Sequence, residues 1–214
     1  MATIVYQVGD SLYLNLTNRC TNECPFCIRN LSRHFNQKYH LWLDHESSAE
    51  EVLTSIGDPA KHQQIVFCGY GEPTIRLETI KAVAIKLKSQ HQTSNFKTNE
   101  KSQIPIIRLD TNGQANLFWG RNIVPELKGL IDSVSISLNA ENAEVYQKLC
   151  RPLAGKAAYP AIFEFIKEAK KYIPQVEVSV VDLPAVDLEA CRNIAKALGV
   201  NFRVRPYYEE TYVR

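Results

Sequence analysis

Apolar and polar positions follow two rhythms along this chain. Alternation at every second residue marks strands, and returns at three and four residues mark helices. Thr3–Gln7 and Ser11–Thr17 read as strands joined at the turn dipeptide Gly9-Asp10, a short N-terminal β-hairpin. Ser47-Ser48 followed by Glu50-Glu51 has capping-box spacing, and Val52, Leu53 and Ile56 give a short helical face that stops at Gly57. Gln64–Cys68 is an apolar run of strand length, and Leu77, Ile80, Val83, Ala84 and Leu87 then recur at helical period. Ile104–Leu109 reads as the next strand. Leu117–Leu130 is helical in part and broken at Pro125. Ile131–Leu138 alternates serine with apolar residues, as a strand does.

Pro160 opens a helix carrying Ile162, Phe165, Ile166 and Ala169. Val176–Leu183 is a strand. Asp187 caps a helix carrying Cys191, Ile194, Ala195 and Leu198, which Gly199 ends; Phe202–Arg205 is the last strand. Strand and helix alternate throughout, which implies parallel strands with right-handed crossovers. About six such units are too few for the closed eight-stranded barrel, so an α/β fold with an open, partial parallel β/α barrel is expected. The polar stretch Ser89–Gln103 reads as a surface loop on the face away from the site. No linker or repeat divides the chain, and one domain over residues 1–214 is expected.

Composition narrows the class. The chain is 45% hydrophobic and 22% charged, with a formal net charge of +2. That is a globular balance, and too mild a charge to indicate nucleic acid or an anionic membrane. No apolar run is long enough for a membrane span, and Met1–Gly9 lacks the features of a signal peptide. A cytoplasmic protein with reduced thiols is expected.

The cysteines change the picture most. Of six, Cys20, Cys24 and Cys27 form a C-x3-C-x2-C cluster directly after a strand, while Cys68, Cys150 and Cys191 stand alone. Scattered single cysteines do not make a disulfide framework, but three in one loop can hold three corners of an iron–sulfur cube and leave the fourth iron open. The other chemistry open to the loop is zinc, with His34 or His40 as fourth ligand. Cys68 falls at a strand end, Cys150 near a helix end and Cys191 on an apolar helix face, which suits packing.

In parallel β/α folds the site lies at the carboxyl ends of the strands. Those ends carry, in order, the cysteine loop, Gly69-Tyr70-Gly71-Glu72-Pro73-Thr74, Asp110-Thr111-Asn112-Gly113, Ser137-Leu138-Asn139, Asp182 and Arg205-Pro206-Tyr207. Gly69-x-Gly71 is no dinucleotide fingerprint, because Thr74 stands at the third glycine position. The glycines suit close approach of the backbone to a ligand, or an ordinary strand-to-helix turn. Exposed peptide groups there could hold an amino acid's ammonium and carboxylate, with Glu72 in support. Arg29, Arg33, His34, Lys38 and His40 could recognise an anion, or form a solvated basic loop.

Taken together these residues resemble the radical S-adenosylmethionine (SAM) superfamily. Cys20, Cys24 and Cys27, with Phe26 before the last, match its signature, and Gly69-Tyr70-Gly71-Glu72-Pro73 is similar to its Gly-Gly-Glu motif with Tyr70 in place of glycine. The Asp110–Gly113 run is similar to one in glycyl-radical-enzyme activases. The whole chain, with Leu12–Arg29 and Ser133–Pro152, looks most like the short TatD-associated group. The resemblance implies a [4Fe-4S] cluster on the three cysteines whose open iron takes SAM through its amino and carboxylate groups. It implies reductive cleavage to a 5′-deoxyadenosyl radical, fed by a flavodoxin-like or ferredoxin-like one-electron donor. By the same resemblance Gly71 and Glu72 lie at the methionine end, and Gly69, Tyr70, Asp110 and Asn112 are further cofactor-binding candidates. Ser137 and Asn139 contact ribose or carboxylate, and Arg205 and Tyr207 lie near adenine or substrate. Few residues follow the sixth strand, so an open lateral face suits a peptide or protein substrate. The alternatives are an activase and, outside enzymes, a zinc-stabilised or electron-carrying module.

Overall fold

The computed structural model describes residues 2–94 and 105–207. Its frame is a seven-stranded sheet. Strands β1 (Val5–Val8) and β2 (Ser11–Leu14) form the N-terminal hairpin, turned at Gly9 with φ +57°. The short helix α1 (Ile28–Leu31) and a small hairpin, β3 (His34–Phe35) with β4 (Tyr39–His40), follow the cysteine loop. Helix α2 (Ala49–Ile56) then leads to β5 (Gln64–Phe67). Four more strands alternate with helices: α3 (Leu77–Ser94), β6 (Ile106–Thr111), α4 (Ala115–Trp119), β7 (Ser133–Ser137), α5 (Ala143–Cys150), α6 (Ala158–Tyr172), β8 (Gln175–Val181), α7 (Leu188–Leu198) and β9 (Asn201–Arg205). The sheet order is β1-β2-β5-β6-β7-β8-β9. Only the β1–β2 pair is antiparallel, so six parallel strands stand beside one edge strand.

The alternation within the strands has a direct physical meaning. Leu12, Leu14, Ile65, Phe67, Ile107, Leu109, Val134, Ile136 and Val178 point to one face and are buried with Ile80, Val83, Ile162, Phe165 and Cys191 of the helices. The opposite face is polar. Arg108 holds Asp110 through both of its carboxylate oxygens, at 2.8 and 3.0 Å, while Arg203 and Ser135 both donate to Glu177. A parallel sheet covered on both sides would be apolar on both. Here the serines of β7 belong to a polar face, on which Ser135 is buried against Glu177 and Arg203. A second apolar cluster closes one end of that face: Tyr6, Leu41 and Tyr70 are buried there, with Tyr13, Phe35 and Tyr39 packed around them.

Caps lie where the sequence places them. Ser48 and Glu51 close a reciprocal capping box on α2, and Asp187 accepts from the Ala190 amide at 2.9 Å. Three expectations are corrected. Helix α3 continues to Ser94, so the first part of Ser89–Gln103 is helical rather than loop; the remainder, residues 95–104 up to Gln103, falls outside the described residues. Helix α6 begins at Ala158, two residues before Pro160, because the proline needs no amide partner anywhere in the first turn. Strand β6 runs two residues past Leu109 and takes in Asp110 and Thr111.

Candidate metal centre

The cysteines lie on an irregular loop between β2 and α1, held by its own turns and by neighbouring strand ends. The Cys27 amide donates to the Cys24 carbonyl at 3.1 Å. The Glu72 amide donates to the Arg19 carbonyl at 2.8 Å, and the Leu153 amide to the Thr21 carbonyl at 2.9 Å. Arg29 reaches back from α1 and donates to the carbonyls of Asn18 and Asn22, both at 3.1 Å. The loop is thus tied to β2, to the end of β5 and to the segment after α5.

Gly69 and Gly71 make this docking possible. A Cβ on Gly71 would lie 2.3 Å from the Thr17 carbonyl oxygen and 2.4 Å from that of Arg19; one on Gly69 would lie 2.1 Å from Asn15 Oδ1. The close approach these glycines permit is therefore that of the cysteine loop itself. Tyr70, which stands in a glycine position of the motif, is buried, and its hydroxyl donates to the Ser32 carbonyl at 2.7 Å. It braces the segment between α1 and the small hairpin.

Glu72 is buried and fully engaged by its own chain. Its carboxylate accepts from the Thr74 amide and hydroxyl at 3.1 and 2.7 Å, the Thr111 hydroxyl at 2.7 Å and the Asn112 amide at 2.7 Å. Burial holds its carboxyl above the ordinary range, with those donors opposing the rise. The carboxylate joins the end of β5 to the end of β6. Asn112 donates to the Thr21 hydroxyl at 2.7 Å, with Cys20 Sγ 3.8 Å from the same amide nitrogen. Asp110 faces the polar side of the sheet and is paired with Arg108. Arg205 donates to Ser137 Oγ at 3.2 Å and Asn139 Oδ1 at 3.1 Å, so these three sequence-predicted residues share one corner. Tyr207 is half-buried against the core.

Sequence reasoning missed a buried tripod under the loop. Asn22 donates to the Tyr146 hydroxyl at 3.0 Å, and Gln114 donates both to that hydroxyl at 3.0 Å and to Asn22 Oδ1 at 2.7 Å. Tyr146 is wholly buried. On sequence it is one more apolar-face residue of a helix, and nothing local marks its partner. Tyr146→Phe would strand two buried donors, a loss of about 1–3 kcal/mol. Thermal unfolding should show it, and a variant as stable as the parent would rule out this support.

All three thiols lie above the ordinary thiol range. Burial pushes Cys20 up to about 12, with the Glu72 charge adding to it, and burial likewise raises Cys27. Cys24 is raised first by its hydrogen bond to Cys150 and then by burial; its Sγ lies 3.5 Å from the Cys150 carbonyl oxygen. The Arg29 guanidinium opposes the rise at every one of the three. That is the cation a set of metal-bound thiolates needs nearby. Among the described residues no three His, Cys, Asp or Glu side chains converge on one point where a single ion could sit. The rings of His34 and His40, the candidate zinc partners, lie 4.9 Å apart across the small hairpin. A multi-iron cube spreads its corners, so its sulfur ligands need not meet at one point.

A family model described as the radical SAM superfamily matches residues 14–198. The chain belongs to the radical SAM superfamily. The cofactors of that superfamily are a [4Fe-4S] cluster and SAM. The residues present fit the cluster: three half-buried thiols on one loop, one cation common to them, and Cys150 and Cys191 sequestered in helices. No curated protein sequence matches this radical SAM chain.

Solved structures give the same fold. TYW1, whose structure holds a lysine-pyruvate adduct, superposes with a TM-score of 0.57 at 14% identity over 92% of this chain and 65% of its own. SuiB of Streptococcus suis gives 0.60 at 14% identity over 92% of this chain and 39% of its own. HydG, a maturase of the [FeFe]-hydrogenase, gives 0.56 at 16% identity over 92% and 42%. The radical SAM chain therefore spans less than two thirds of each of these structures. No helix among its described residues is long and apolar enough to cross a membrane.

Proposed function

We propose that this radical SAM enzyme binds its cluster through Cys20, Cys24 and Cys27 and acts on a peptide or protein segment. It works as a single cytoplasmic domain of the TatD-associated group, on the resemblance carried by Leu12–Arg29 and Ser133–Pro152. Held by these three cysteines, the cluster would supply the electron for reductive cleavage of SAM to methionine and a 5′-deoxyadenosyl radical, the species that would abstract hydrogen from substrate. The chain's own work is orientation and exclusion of water. Gly69, Tyr70 and Gly71 hold the loop against the end of β5, which fixes the backbone there for the methionine end of SAM. Glu72 acts through Thr111 and Asn112, setting the loop between β5 and β6. The corner of Arg205, Ser137 and Asn139 presents a cation and hydroxyl and amide groups to ribose or carboxylate, with Tyr207 beside it.

One observation carries this reading: three thiols of one loop, docked through glycines that leave no room for a side chain, at the carboxyl ends of the parallel strands. The Asp110–Gly113 run, which is similar to activase sequence, is occupied locally: Asp110 by Arg108, and Thr111 and Asn112 by Glu72. It therefore says little about substrate. Anaerobic reconstitution with iron and sulfide, then dithionite and SAM, should give a brown protein that releases 5′-deoxyadenosine. A colourless protein that binds only zinc, or a loaded one that never cleaves SAM, would sink the proposal. Mass spectrometry of treated cell extract then tests for a modified peptide.

A further inference from the structure

All three cysteines are tied to one short helix. Cys27 is the N-cap of α1. Asn30, on α1, donates to the Cys24 carbonyl at 2.9 Å. Arg29, the residue before it, spreads its guanidinium across the Cys20 segment, with Nη1 on the Asn18 carbonyl and Nη2 on the Asn22 carbonyl, both at 3.1 Å. Those carbonyls stand two residues before and two residues after Cys20, and the Asn22 amide lies 3.4 Å from Cys20 Sγ. The far end of α1 is held in turn by the Tyr70 hydroxyl, which donates to the Ser32 carbonyl at 2.7 Å.

A planar fork with fixed donor spacing holds two carbonyls at a set separation, which a single ammonium on a flexible stem does not. Arg29 therefore sets the span of the turn that carries Cys20. The same group brings a charge to the loop. It is half-buried and paired with no carboxylate among the described residues. Arg19, the other cation of the loop, is paired with Glu46 at 2.7 Å, and its side chain is 59% exposed. Water and salt screen the half-buried charge less than the exposed one.

We propose that Arg29 is a positioning residue with two separable roles, an inference that rests on the reading that Cys20, Cys24 and Cys27 hold the cluster. Its fork fixes the Cys20 segment relative to Cys24 and Cys27. Its charge raises the reduction potential of what the three sulfurs hold. One electron taken from a reductant makes that site one unit more negative, and a cation fixed beside it favours the reduced form. No bond is made or broken.

Two variants separate the roles. Arg29→Lys keeps the charge and loses the fork; Arg29→Gln keeps a donor for one carbonyl and loses the charge. Both are reconstituted anaerobically with iron and sulfide beside the parent. Iron per chain is measured, and then the midpoint potential of the loaded fraction, by electron paramagnetic resonance with dithionite as reductant. Iron per chain should fall below the parental value in both variants, as it does when a metal's outer-shell partners are removed. The potential should fall in Arg29→Gln alone, by about 59 mV for an about tenfold smaller equilibrium constant of one-electron reduction. Arg29→Lys should keep the parental potential. Parental loading in both variants overturns the role of the fork. An unshifted potential in Arg29→Gln, or an equal fall in both variants, overturns the role of the charge. Loss of all iron from both would leave Arg29 a structural staple and overturn the redox role as well. A parent that takes up no iron fails the functional reading and this proposal with it, whereas a loaded parent beside unshifted variants overturns this proposal alone.

Discussion

Replacing Cys24 with alanine is expected to abolish iron loading and 5′-deoxyadenosine release while leaving the fold close to that of the parent. Cys24 sits half-buried on an irregular loop against the edge of the core, with its thiol 3.5 Å from the Cys150 carbonyl oxygen. Losing that sulfur costs little stability, about 1 kcal/mol. It leaves two thiols where a cube needs three from this chain. Cys191→Ala is the control. Cys191 is wholly buried in α7 among core residues, so it should lose stability but keep iron and cleavage. Iron content, visible absorbance and far-ultraviolet circular dichroism separate the two outcomes. Equal loss of iron in both variants would remove the assignment of the cysteine loop.

The second large effect is steric. In Gly71→Ala the new methyl group must sit on two backbone carbonyl oxygens, at 2.3 and 2.4 Å, and neither belongs to a flexible side chain. Either the end of β5 or the loop from Thr17 to Arg19 has to move. Overpacking against backbone costs about 3 kcal/mol. For a chain of this size that is a fall of about 6–12 °C in melting temperature. The displaced loop carries Cys20, so iron per chain after reconstitution should fall as well. A variant that melts and loads like the parent would show that the loop does not dock on Gly71.

These two residues also show what the sequence discloses and what it withholds. The cysteine spacing and the strand-by-strand inventory of carboxyl ends were readable because each depends on a short stretch of chain. So were the caps at Ser48 and Asp187, whose partners lie three residues away. The alternating serines of β7 announced a strand but not the polar face they line, since that face is built across β6 to β9. The glycines were visible as places of close approach, yet the body approaching was the protein's own loop rather than a ligand. The small hairpin escaped notice because its strands are two residues long and its turn carries Asn36 and Gln37 at φ +50° and +55°, where Asn-Gly would have been the usual signal. Tyr146 and Gln114 escaped because their meaning lies in a partner at the far end of the fold.

That distance has a consequence for biosynthesis. Asn22 and Tyr146 are 124 positions apart in the chain, and Asn112 and Thr21 are 91 apart. As the polypeptide leaves the ribosome, the segment with all three sulfurs emerges early and then waits, without its bracing, until most of the sheet and the fifth helix have been made. Late contacts of this kind form only after the intervening structure has closed. The three sulfurs of the newborn chain therefore pass through an interval without these contacts, and the fully braced loop exists only after it.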